Sequence, residues 1–137
     1  MKSVAKKQSA LQAIQLLFFC IVFYSLKGQV ISDSVLIDKN YRTFHFIQPK
    51  SLAEGASVIF ILHGSGGNGI KMMSSTTKLQ EKIKDENVLL VYPDGYKNFW
   101  NECRKASPAA ANVEDVDENS FFDSMIGYFV KIVDNRL

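Results

Sequence analysis

Apolar and polar positions change period several times along the chain, and each change marks an element. From Tyr41 to Gln48 they alternate, Tyr41, Thr43, His45 and Ile47 on one face and Arg42, Phe44, Phe46 and Gln48 on the other, predicting a strand stopped by Pro49. Ser57-Val-Ile-Phe-Ile-Leu62 is a continuous apolar run rich in β-branched residues, the pattern of a strand buried on both faces in a parallel sheet. Four glycines follow in His63-Gly-Ser-Gly-Gly-Asn-Gly69. Helical spacing of Met72, Thr76, Leu79 and Ile83 then runs through Lys71 to Asn87, and a second buried strand, Val88 to Tyr92, is broken by Pro93-Asp-Gly95. Strand, glycine loop, helix and strand make a βαβ unit, so the expected class is α/β with a mostly parallel sheet. The segment from Gly95 to Val116 reads as a long irregular loop, and loops above about 12–15 residues in a compact domain are usually functional or mobile. Asp115 or Asp117 is placed to cap a last helix. Its stripe is Phe121, Met125, Phe129 and Ile132, joined by Phe122, Ile126 and Val133.

The N-terminal stretch follows a different logic. Lys2, Lys6 and Lys7 precede an apolar run from Leu11 to Leu26, the pattern of a secretory signal over residues 1–28, with the N-terminal part of a folded domain at 29–137. Its uninterrupted centre, Leu16 to Tyr24, falls short of the roughly 20 residues a spanning helix needs. Cleavage is expected after Gly28. Leu26, three positions from the cut, is large for its place and keeps an uncleaved anchor as the alternative. Phe18 and Phe19 argue against lipid modification of Cys20. The expected location is secreted or periplasmic.

Charge reinforces this division. The chain carries 16 basic and 14 acidic residues. Loss of Lys2, Lys6, Lys7 and Lys27 with the signal leaves 12 basic against 14 acidic, so the net positive charge belongs to the leader. Nothing basic clusters, and the expectation is no nucleic-acid partner and no membrane contact beyond the signal segment. Cys103 is then the single cysteine, unable to form a disulfide within this chain, and is either a buried free thiol or half of a bridge whose partner lies elsewhere.

The glycine-rich loop is the strongest candidate for chemistry. Acyl transfer needs backbone N–H groups aimed at the oxygen that becomes negative in the tetrahedral intermediate, and glycines keep that space open. His63 and Gly64 would form such an oxyanion loop, with the backbone amide of Ser65 as donor. Gly64, Gly66 and Gly69 also spell G-x-G-x-x-G between a strand and a helix, the spacing of a dinucleotide site. Against that competitor, another strand precedes this one and the acidic candidate, Asp94, sits behind Pro93. A phosphate-binding P-loop fails because Ile70 holds the lysine position. His63 as a plain turn residue is a real alternative, and His45 reads as packing. The two histidines make no metal site with neighbouring ligands. Ser65, Ser74 and Ser75 lie outside any G-x-S-x-G turn, so the chain offers no nucleophile. Asp115, Asp117 and Glu118 read as a helix N-terminal charge cluster.

Taken in order, Leu62-His-Gly-Ser-Gly-Gly67, Val91-Tyr-Pro-Asp-Gly95, Trp100-Asn-Glu-Cys-Arg104, Val116-Asp-Glu and Phe121-Phe122 resemble the polyhydroxybutyrate depolymerase and feruloyl esterase family of α/β-hydrolases, across roughly residues 41–137. The resemblance implies a three-layer fold and a serine-type carboxylic-ester hydrolase without metal or cofactor. It makes Ser65 the oxyanion donor and Trp100 and Asn101 residues near the active-site mouth, touching an ester substrate of polyester or plant cell-wall type. Many members of the family carry a cysteine, often disulfide-bonded, where Ser65 stands. The family's next elements are a strand, the G-x-S-x-G turn, and later an acid and a histidine. None is in these residues, so a truncated α/β-hydrolase lacking the nucleophile strand and everything after it is expected. The missing C-terminal half is needed to complete the fold, and Val58 to Leu62 would present an unpaired edge without it. Made alone, this chain is expected to be marginally stable, aggregation-prone and inactive. A non-catalytic exported binding protein or remnant is the alternative from another class.

Overall fold

The computed structural model describes residues 30–49, 52–102, 104 and 106–134. The signal segment with its cleavage site, Cys20, Cys103 and the last three residues lie outside them.

The alternation at Tyr41 to Gln48 does form a strand, but it has a partner that the apolar pattern does not announce. β1 (Val30–Ile37) and β2 (Asn40–Ile47) form an antiparallel hairpin in register from Val30 opposite Ile47 to Ile37 opposite Asn40. The turn is Asp38-Lys39, with Asp38 at φ 53°, the left-handed region that Asp tolerates better than most side chains. β2 also pairs antiparallel with β4 (Val88–Pro93), His45 facing Tyr92. β4 pairs parallel with β3 (Ser57–Phe60), Ser57 beside Val88.

The order is therefore β1-β2-β4-β3. The expectation of a mostly parallel sheet is corrected: the four strands form a mixed sheet in which only the β3–β4 pairing is parallel. The βαβ unit is present, but a hairpin attached to its far side supplies the antiparallel half.

Two helical layers cover the sheet, and strand alternation decides which residue meets which. Phe44, Phe46, Leu89 and Val91 pack with Phe121, Met125 and Phe129 of α4 (Glu118–Asp134). On the opposite face Leu90 and Tyr92 pack with Met73 of α1 (Gly69–Ser75). Asp117 caps α4, accepting from the Ser120 N–H at 2.9 Å and the Ser120 hydroxyl at 2.6 Å. That hydroxyl, ahead of the backbone bonds, lowers the Asp117 carboxyl below its ordinary range.

A short helix, α3 (Ala110–Val113), interrupts the segment read as an irregular loop. The helix expected over Lys71 to Asn87 is two, α1 and α2 (Thr77–Ile83), broken at Thr76. Three consecutive hydroxyls turn back on the helix: Ser74 donates to Ile70 O, Ser75 to Met72 O, and Thr76 Oγ1 to Met72 O. Such bonds compete with the helical ladder and bend it.

β3 departs from its expected burial. Ile59 and the following Leu62 are each 43% exposed, because β3 is the terminal strand of the described sheet. α4 matches this asymmetry. On the β1 side Tyr128 donates to Asp33 at 2.6 Å, whereas on the β3 side Phe122 sits over Phe60 with ring centroids 5.2 Å apart. Ile126 and Val130, four and eight residues past Phe122, continue that second stripe and are 46% and 52% exposed. α4 is thus apolar over a wider arc than the four strands cover.

Candidate functional site

The loop leaving β3 is organised by His63, which is buried. The Gly95 N–H donates to His63 Nε2 at 2.9 Å, so the other ring nitrogen carries the proton and donates to Gly64 O at 2.7 Å. The Trp100 indole covers the ring at 5.0 Å between centroids, and its Nε1–H donates to His63 O at 2.9 Å. With both nitrogens committed, His63 ties the ends of β3 and β4 together and is neither a base nor a nucleophile in this arrangement.

The amides beyond it are dealt out unevenly. Gly66, at φ 73°, donates its N–H to Asn98 O at 2.9 Å, and the Gly67 N–H donates to Gly64 O at 3.0 Å. Among the described residues the Ser65 N–H has no protein acceptor. Ser65 is exposed and helps line a cavity of about 660 Å³ whose other walls include Phe99, Arg104, Ser107, Pro108 and Ala109. An uncommitted backbone donor beside a partly apolar cavity is what stabilising a developing oxyanion requires.

Trp100 and Asn101 are not among the residues lining that cavity. Trp100 is committed to His63 as above. The Asn101 side-chain amide donates to Asp115 Oδ1 and Val116 O, each at 3.1 Å, and its backbone N–H donates to Glu118 Oε1 at 3.2 Å. Trp100 is thus tied to the loop after β3, and Asn101 to the start of α4. Across the turn at Lys97-Asn98, Lys97 Nζ donates to Glu114 at 2.6 Å and the Tyr96 hydroxyl donates to its other oxygen at 2.7 Å. Lys97, ahead of Tyr96, holds the Glu114 carboxyl below its ordinary range, while the Lys97 ammonium is raised in return.

Two polar clusters were not readable as clusters in the sequence. In the first, Asp94 accepts the Gly69 N–H at 2.6 Å through one oxygen and meets His45 Nε2 at 3.1 Å through the other, while His45 Nδ1 lies 2.7 Å from the Ser32 hydroxyl. His45 is buried, as its packing role predicts, and is also the centre of this chain of bonds. The arrangement weighs against a dinucleotide at the G-x-G-x-x-G sequence, because a carboxylate already occupies the amide at the start of α1 and repels a phosphate there. In the second, Arg42 is buried with its Nη2 2.8 Å from Glu118 Oε2, and its guanidinium lies 4.3 Å from the centre of the Phe121 ring. Glu118 is therefore more than a helix-terminal charge. The signal available for both was a charged or ionisable residue inside an alternating strand; its partner was not visible.

Among the described residues no group of three His, Cys, Asp or Glu is arranged to hold a metal ion, and no helix is long and apolar enough to cross a membrane. A scan of the chain against protein-family models found no match. A search of curated proteins found none either.

Proposed function

We propose that this chain is the N-terminal portion of an exported serine-type carboxylic-ester hydrolase, acting on polyester or hydroxycinnamoyl esters, and that it contributes one oxyanion donor to an active site completed by residues beyond Leu137. The observation that carries this reading is the Ser65 N–H, without an acceptor among the described residues, at the end of β3 and beside the 660 Å³ cavity. Its support is the open side of the fold. β3 lacks a neighbour on its outer edge among the described strands, and the Phe122, Ile126 and Val130 stripe lies on that side, so one more apolar strand would cover both.

The test begins with the coding sequence past Leu137, expected to continue in frame into a strand and a G-x-S-x-G turn. The product of that longer frame should hydrolyse a p-nitrophenyl short-chain ester, while the chain ending at Leu137 should not turn it over. Within the longer product, Ser65→Ala should leave kcat nearly unchanged because the donor is backbone. Ser65→Pro, which has no N–H, should lower it by about 10²–10³-fold. Equal loss in both variants would remove Ser65 as the donor. A continuation without the serine turn would assign the fold to a non-catalytic exported binding protein instead.

A further inference from the structure

Ser32, His45 and Asp94 come from β1, β2 and the end of β4, and the reading above uses none of them as a reacting group. Asp94 only accepts hydrogen bonds when ionised, and its Oδ1 takes the Gly69 N–H at 2.6 Å. In the neutral imidazole the proton therefore sits on Nε2, 3.1 Å from Asp94 Oδ2, and the lone pair sits on Nδ1. That lone pair faces Ser32 Oγ at 2.7 Å, so the serine hydroxyl donates to it. Hydroxyl to base nitrogen, and the opposite N–H to a carboxylate held by a second donor, is the connectivity that activates a serine for attack.

Access differs along this chain of bonds in the direction such activation needs. His45 is only 7% exposed, while Ser32 opens to solvent on a sheet face shared with Val30 and Leu36, 47% and 55% exposed. That face offers apolar surface to an alkyl or aryl group. Because the Gly69 N–H at the start of α1 is already given to Asp94, it is not free to stabilise an oxyanion. Donors whose leaving group takes up the developing charge are therefore the matching class.

We infer that Ser32 is a stoichiometric acceptor of acyl or phosphonyl groups from activated donors, with His45 as general base and Asp94 as a positioning residue. With an activated ester, the bond from Ser32 Oγ to the acyl carbon forms and the ester C–O bond breaks. The serine proton passes to His45 Nδ1 and then to the departing phenolate. With a fluorophosphonate the Oγ–P bond forms, fluoride leaves, and His45 retains the proton.

The test treats the full chain with an alkyl fluorophosphonate and locates the adduct by fragment-ion sequencing of the peptide that holds both Ser32 and Ser34. Ser34 lies two residues along on the same strand face and serves as the internal reference. The expected result is labelling of Ser32 over Ser34 by about 100-fold, the scale of general-base assistance, collapsing towards parity in urea. His45→Gln should remove the excess, and Asp94→Asn should lower the Ser32 rate with an unchanged far-UV spectrum. Comparable labelling of the two serines in the folded chain, or a Ser32 rate indifferent to His45→Gln, overturns the assignment. If either variant fails to fold, the wild-type ratio in buffer against urea decides. Because the adduct is located by residue, the result is independent of any catalytic serine supplied beyond Leu137.

Discussion

Glu118→Ala is the sharpest test of how the fold is held, because it strips a buried cation of its counter-ion. The Arg42 side chain is 2% exposed and that of Glu118 13%. Among the described residues, Arg42 Nε and Nη1 are buried without a partner, and Nη2 has, besides Glu118, only a long contact of 3.4 Å to Asp94 O. Without Glu118 the guanidinium keeps its position over Phe121 but loses its compensation, a loss that costs about 3–5 kcal/mol when a buried pair is broken from one side. Complete domains are stable by roughly 5–15 kcal/mol, and a chain expected to be only marginally stable has less to lose, so this is a large fraction. Trp100 is the single tryptophan and reports on the loop that Glu118 braces through Asn101, so its fluorescence can follow urea unfolding. With a slope of about 1–2 kcal/mol per molar urea, the midpoint should fall by about 1.5–5 M, or the variant should be unfolded in buffer. Glu118→Gln keeps an acceptor for the Asn101 N–H while removing the charge, and should fall between. The double replacement Arg42→Met with Glu118→Leu should recover most of the loss, because neither charge is then buried. A Glu118→Ala midpoint within about 0.5 M of the parent, which at that slope is under about 1 kcal/mol, would refute the reasoning.

Three further outcomes follow from single contacts. Gly69→Ala places a Cβ against the Tyr92 carbonyl oxygen and 2.7 Å from His45 Cδ2, so it should destabilise by about 1–3 kcal/mol or more, read as a lower thermal midpoint. His63→Phe fills the same space but leaves the buried Gly95 N–H without its acceptor; a loss of about 1–3 kcal/mol and faster hydrogen exchange at Gly95 are expected. Burial first, and then the Asp33 carboxylate, push the Tyr128 phenol from 10.0 up to about 12. The folded state therefore favours the neutral phenol, and this contribution is intact below pH 10, declines above it, and is lost as the pH rises through about 12. Phenolate absorbance should show one late-titrating tyrosine that Tyr128→Phe removes.

What could be read in advance, and what could not, divides by physical range. The β2 alternation, the β3–loop–helix–β4 succession and the Phe121, Met125, Phe129 stripe are periodic over a few residues, and periodicity is what a linear sequence carries best. The break at Thr76 needed only local chemistry as well, since Ser74, Ser75 and Thr76 each reach back three or four residues. β1 was harder, because Val30-Ile-Ser-Asp-Ser-Val-Leu-Ile37 neither alternates cleanly nor runs continuously apolar. Its hairpin depends on Asp38 accepting a left-handed turn without a glycine.

The polar clusters lie beyond that range. Arg42 and Glu118 are 76 residues apart, and His45 and Asp94 are 49 apart. The His45 pairing exists because β2 packs antiparallel to β4 in one register, with Phe44 opposite Pro93, and the Arg42 pairing because α4 packs on the face of β2 that carries Phe44 and Phe46. A shift of one residue would turn Arg42 away from α4 and His45 away from α1. The Ser32 contact needs a second register, that of the β1–β2 hairpin, to be right at the same time. An alternating strand with Arg42, Phe44 and Phe46 on one face thus announces that a charge will be buried, but only the register states what neutralises it. The same dependence makes register the property these clusters report: loss of the Arg42 pair and of Ser32 labelling by one slip of β2 should occur together.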